Sequence, residues 1–344
     1  MKYECLKVFG NIKTSAVLVL LFILSIFMAM QNKTVMFEGY KSNVYKYYMD
    51  ILEGEYTKEK HDYVMEEYER LKTHIANKDL YDEQYKKNLI SSTEYRELSS
   101  AAELAKSSLK TFEYIVMKTE YYAQCEKTPS YFYDVDIEDY IVNMSVNIPL
   151  LLSLILIIST LYNEDYVANT VHMIRSSKYG KSSLFWRRIY LVICISIICG
   201  FLFYTGEFVV KYLYMDLGLL DSNVISIMGM KDAGVEGSIL MYLIISLILR
   251  IIYTVIVSLF ICVIATVVHK YIMTFAFTLG VIYIPAVFTD SVFVITKGLE
   301  VYPMFINDQN VHGVPDVLVA IMMYILILCM IIGAMLKREK IYYV

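Results

Sequence analysis

Six runs along the chain are apolar on every face of a helix, and polar stretches separate them. They lie at about 16–30, 146–162, 189–204, 238–268, 271–288 and 317–336, the fifth interrupted by Pro285. Each is close to the roughly 20 residues needed to cross a hydrocarbon core of about 30 Å. Strands of a membrane barrel would alternate apolar and polar positions over about ten residues, and these runs do not. The pattern therefore predicts an all-α polytopic membrane protein with six transmembrane helices. Three lysines precede the first run, but it ends in Phe27-Met28-Ala29-Met30-Gln31 with no small-x-small cleavage pattern, so it reads as an uncleaved anchor.

The segment between the first two runs is long and polar, and it carries the period of helices. Val64, Tyr68, Leu71 and Ile75 recur at 4-3-4 spacing. Leu98, Ala102, Ala105, Leu109, Phe112 and Val116 recur at 4-3-4-3-4, the seam of two packed helices. Ser91 with Glu94 has the form of a capping box opening the second helix. The polar, tyrosine-rich stretch 76–88 falls between them as a tip. The division is 1–31 for the tail and first span, 32–143 for an extracellular helical hairpin domain, and 144–344 for five further spans. Tyr121, Tyr122, Tyr131 and Tyr133 flank the approach to the second span, where an aromatic belt at the membrane surface is expected.

Charge sets the orientation. Lys2, Lys7 and Lys13 lie on the N-terminal tail, and Arg175, Lys178, Lys181, Arg187 and Arg188 between spans two and three. Lys270 lies between spans four and five, and Lys337, Arg338 and Lys340 lie after span six. With six spans all of these fall on one side, so the positive-inside rule makes both termini cytoplasmic. Mean hydropathy is +0.49 and 57% of the 344 residues are apolar, as the spans demand. The net charge of −4 comes from acids in 32–143, which argues against a nucleic-acid surface.

The tests for chemistry are negative. Gly180-Lys181-Ser182 looks like the end of a phosphate-binding loop, but position 175 is arginine where that loop needs glycine. Glu66 and Glu67 read as the solvated face of a helix. The five histidines are scattered, and no nucleophile elbow or metal spacing is present. No enzyme and no bound cofactor are expected. One charge stands out. Arg250 sits within the fourth apolar run, where an arginine costs about 2.5–3.5 kcal/mol to insert, so it must face other helices, water or a thinned bilayer. Glu207, near the outer end of span three, is its candidate partner, and the two are candidate pathway residues. Glu207 and Lys211 also have the spacing of a local helix pair.

The loop at 163–188 is short and amphipathic, with acids at its start and bases at its end. Its pattern, Glu-x-x-x-x-x-Thr-x-x-x-Ile-Arg-Ser-Ser-Lys-x-Gly-Lys, with six spans and a basic tail, resembles the ABC-2 family of transporter permeases of low-GC Gram-positive bacteria. Asn169 stands where that family often has glycine, and Lys181 where arginine is common. The resemblance implies a coupling helix seated in a groove of a separate ABC ATPase subunit, which binds the ATP. Carried over by position, Glu164 opens the helix, Thr170, Ile174 and Arg175 form its body, and Lys178, Gly180 and Lys181 mark its exit. It further implies a dimer with a second permease copy or paralogue, contact with membrane lipid, and a bacterial plasma-membrane location. Export of an antimicrobial peptide or other amphipathic molecule is the function expected. The alternative is a polytopic sensor or anchor that binds a partner through its extracellular hairpin.

Overall fold

The computed structural model describes residues 2–31, 40–142, 147–168, 182–214, 220–230, 237–268 and 270–280, together with positions 322, 325–330, 332 and 333. Four helices in it are long and apolar enough to cross a membrane, which gives an all-α chain the build of a multi-pass membrane protein. They are α2 (Ile12–Gln31), α8 (Ile148–Val167), α9 (Ser182–Tyr214) and α10 (Ile239–Val268). A short helix, α1 (Lys2–Phe9), precedes them, and α11 (Tyr271–Thr278) opens the fifth apolar run. The rest of the fifth run and most of the sixth lie outside the described residues.

The apolar runs understate the helices. The second run ends at Tyr162, yet α8 continues to Val167, and α9 begins at Ser182, seven residues before the apolar run at 189. Hydropathy stops where charges begin, whereas the i→i−4 hydrogen-bond ladder does not. At 33 residues α9 is about 50 Å long, well beyond a hydrocarbon core of about 30 Å. Its ends, including the bases Arg187 and Arg188, therefore project as helix from the apolar layer.

α8 lies at the centre of the bundle. Of its apolar window 78% is buried, against 17% for α2 and 44% each for α9 and α10. Leu151, Leu154, Ile155, Ile158 and Leu161 of α8 pack in one core with Val192 and Ile195 of α9 and Tyr253, Ile256 and Val257 of α10. α9 and α10 come close at Gly200, where an added Cβ would lie 3.5 Å from Thr254 Cγ2. The exposed Val19, Leu20, Ile23 and Phe27 give α2 an apolar face suited to lipid.

A second core belongs to residues 40–135. It is built from α3 (Ser42–Leu52), α4 (Lys58–Ala76), α5 (Lys78–Lys86) and α6 (Ser92–Gln124). Tyr68 stacks on Phe112, Lys78 pairs with Glu103, and Tyr95 donates to Asp82. Advance along one helix is thus return along the other. α6 starts with a full capping box: Ser91 Oγ accepts from the Glu94 N–H at 3.2 Å, and Glu94 Oε2 accepts from the Ser91 N–H at 3.4 Å. The strands β1 (Gly54–Glu55) and β2 (Ser130–Tyr131) pair antiparallel, Gly54 opposite Tyr131, and Gly54 holds a φ of +102° that favours glycine.

Two expectations about this region are corrected. Two of the four tyrosines expected in a surface belt are not at the surface: Tyr122 and Tyr131 are fully buried with Tyr45 in the domain core, and Tyr121 and Tyr133 are partly buried against it. Burial is possible because each hydroxyl finds a partner. Tyr131 donates to Thr119 Oγ1 at 2.9 Å and Tyr122 to the Ser226 carbonyl at 2.5 Å. Nor is the Glu66–Glu67 pair all solvated face. Glu67 is buried and accepts from Tyr48 Oη at 2.9 Å and Arg70 Nη2 at 2.7 Å.

The two cores meet at α7 (Val135–Val142). Tyr131, Tyr133 and Val135 belong to the domain core, while Phe132, Ile137, Tyr140 and Ile141 belong to the core of the long helices. A second bridge is the segment 220–230, between α9 and α10, with 3-10 turns at Val224–Ser226 and Met228–Met230. Val224, Ile227 and Met230 sit in the core of the long helices, and Ser226 bonds to the domain.

Candidate functional site

The two candidate pathway residues, Arg250 and Glu207, are brought together. Arg250 is 2% exposed, with Nη2 3.7 Å from Glu207 Oε2 and the guanidinium 4.0 Å over the Tyr204 ring. This cation–π contact matters more inside an apolar bundle than at a surface. Asn147 connects the pair to two further helices. Its Nδ2 donates to Ser25 Oγ of α2 at 2.8 Å and reaches Glu207 Oε2 at 3.5 Å, while its Oδ1 caps α8 by accepting from the Leu150 N–H.

That cap fixes the depth of the site. Asn147 immediately precedes the first turn of α8, so Arg250 lies level with one end of the central helix and not at its middle. Arg250 is nonetheless well inside α10, because that helix is 30 residues long against 20 for α8. The Glu207 carboxylate turns to Arg250 and Asn147. Lys211 is buried one turn further on, in the field of Asp139 first and then of Glu207 and Asp136.

At the opposite end of the bundle, the loop at 163–188 is closed by charges that its motif did not include. Asp165, near the end of α8, contacts Arg188, near the start of α9. α1 completes the set. Lys7 Nζ lies 2.6 Å from Asp165 Oδ1, Glu4 lies 3.4 Å from Lys7, and Arg188 Nη2 lies 3.3 Å from Glu4 Oε2. All four side chains are 8–9% exposed, two cations against two carboxylates. The Arg188 guanidinium also faces the Tyr162 ring at 5.5 Å. Asn163 Nδ2 donates to Thr274 Oγ1 at 3.2 Å, which adds α11 to the same junction.

Of the residues that the resemblance assigns to a coupling loop, Glu164 is half-buried on the last turn of α8, beside Tyr271. Thr170, Ile174, Arg175, Lys178, Gly180 and Lys181 lie outside the described residues. The sequence pattern weighed Lys7 and Arg188 only as topological charges and passed over Glu4 and Asp165. One signal was available: Asp165 and Arg188 are opposite charges at the two ends of a short loop.

A third buried cluster lies at the domain junction. Lys118 is fully buried 2.8 Å from Asp134 Oδ2 and donates to Tyr45 Oη at 2.8 Å, and Tyr45 donates to Asp134 Oδ1 at 2.6 Å. Burial and the adjacent Asp134 push the Tyr45 hydroxyl pKa up, so it stays a donor. Among the described residues no His, Cys, Asp and Glu side chains gather in a set that would hold a metal ion.

No family model, curated protein or solved structure matches the chain.

Proposed function

We propose that this chain is the membrane subunit of an ATP-driven exporter of ABC-2 type, set in a bacterial plasma membrane. In this reading it has six spans, both termini are cytoplasmic, and the 32–143 domain is an extracellular helical hairpin. ATP is bound and hydrolysed by a separate ABC ATPase, and the pathway forms with a second permease copy or paralogue. An antimicrobial peptide or another amphipathic molecule is the substrate class. The buried Tyr122 and Tyr131 offer it no surface, whereas Tyr47, 62% exposed, does.

The observation that carries the proposal is the closed base of the loop at 163–188. With Asp165 joined to Arg188, and both joined to α1 through Lys7 and Glu4, the loop's ends cannot separate without exposing buried charge. A push delivered to the loop from beneath reaches α8 and α9 together, and with them the Arg250–Glu207 pair.

The test is purification of the full chain from native membranes. An ABC ATPase, recognised by its phosphate-loop and signature motifs, is expected to copurify and to lose association or coupled hydrolysis when Ile174→Asp is combined with Arg175→Glu. Recovery of an extracellular partner bound to 32–143, with no ATPase and no effect of the double variant, would instead establish the sensor or anchor.

A further inference from the structure

We propose that the junction of the two cores is a proton-operated latch, in which neutral Glu138 seats the 224–230 segment on α7 and ionised Glu138 releases it. The inference uses no residue of the coupling loop and stands whether or not the chain works with an ATPase.

The geometry is specific. Glu138 is 9% exposed and lies directly under Gly229, where an added Cβ would fall 2.3 Å from Glu138 Oε1. Any side chain at 229 would have to push the Glu138 carboxyl aside, and the Gly229 N–H donates to that carboxyl. Among the described residues, the charged and titratable groups around Glu138 come from three places. Asp134 lies one turn earlier, its carbonyl accepting from the Glu138 N–H at 2.8 Å, and Asp139 lies beside it. α6 contributes Lys118 and Tyr114. The segment 220–230 contributes backbone, its Asp221 being exposed.

In this cluster Lys118 is already matched by Asp134 at 2.8 Å. Among the described residues, a second carboxylate therefore has no cation of its own. Burial, and then Asp134, raise the Glu138 pKa from 4.5 to about 7, against the opposing pull of Lys118 and the Gly229 N–H. In the neutral form Glu138 still accepts from Gly229 and adds no charge. Once ionised, it is an excess buried charge, relieved when the covering segment lifts and water enters. Val224, Ile227 and Met230 keep the segment on the long helices, so what yields is its link to the domain: Tyr122 donating to the Ser226 carbonyl and the Ser130 N–H donating to Ser226 Oγ at 2.9 Å. Because it joins α9 to α10, its release loosens the domain from the two helices that carry Glu207 and Arg250.

The sign follows from linkage. Opening returns the carboxyl from about 7 toward 4.5, so the open state binds fewer protons and opening grows as pH rises through this window. Each unit of that difference is worth up to tenfold in the opening equilibrium. The experiment is hydrogen exchange, read by mass spectrometry, on the full chain in lipid nanodiscs at pH 5.5 and 8.5, corrected for the intrinsic rate. Protection of 135–142 and 220–230 is expected to fall at least about tenfold at the higher pH, while residues 98–112 hold theirs. Glu138→Gln, neutral at both values, should stay protected at both. Gly229→Ala, which displaces the carboxyl, should open the segment even at pH 5.5. Equal protection at the two pH values in the unaltered chain overturns the latch, as does an undiminished pH response in Glu138→Gln.

Discussion

Arg250 is the fully buried member of its pair, whereas Glu207 is 16% exposed and is also reached by Asn147. Removing one member of a buried pair leaves the other uncompensated, at about 3–5 kcal/mol, whereas replacing both with apolar groups is often neutral or stabilising. Glu207→Leu, which strands the buried Arg250, is therefore expected to destabilise the protein by up to about that amount, and Arg250→Leu with Glu207→Leu to recover most of it. Reversible unfolding in mixed micelles checks both. The double variant also separates structure from work. If the pair serves the pathway, transport stays low although stability returns; if the pair only packs, transport returns as well. A smaller effect is expected at the capping box. Ser91→Ala removes the acceptor for the Glu94 N–H and should cost about 1 kcal/mol, read as earlier melting of the domain.

Between elements, the charged base of the 163–188 loop is the contact with most consequence. Asp165→Asn leaves Lys7 and Arg188 to share Glu4, so α1 should loosen. Proteolysis or exchange within residues 2–9 is expected to quicken, while α8 and α9, held by their apolar faces, remain. Reversing the pair as Asp165→Arg with Arg188→Asp restores the sum of charges but places the new cation beside Lys7. Only partial recovery of α1 is expected, and full recovery would show that the four charges act simply as a sum. α7 is the other decisive element. Eight residues long, it carries Glu138 toward the domain and Tyr140 toward Phe208 of α9, with the two rings 6.2 Å apart.

For the whole molecule, the orientation proposed from basic residues has a direct check. A thiol reagent that does not cross membranes should label cysteines introduced near Glu83, Asp221 and Asn310 in a background without native cysteines. Sites near Lys178 and Lys340 should stay unlabelled. Labelling at Lys178 would place the loop outside and end the coupling proposal. The properties legible without coordinates are local ones. Hydropathy adds up residue by residue, so the apolar runs that mark α2, α8, α9 and α10 stood out, and a capping box spans only four residues. A seam such as Ala102, Ala105 and Phe112 is likewise a period along one helix. What the tertiary structure decided are the partners of the charges and hydroxyls. Lys7 meets Asp165 across 158 residues, Arg188 meets Glu4 across 184, and Tyr122 meets Ser226 across 104. No local pattern selects such partners, because a buried charge is paid for by whichever opposite group the closed fold delivers to it. For the same reason Tyr122 and Tyr131, which resembled a membrane belt in sequence, became core once the fold delivered acceptors for their hydroxyls.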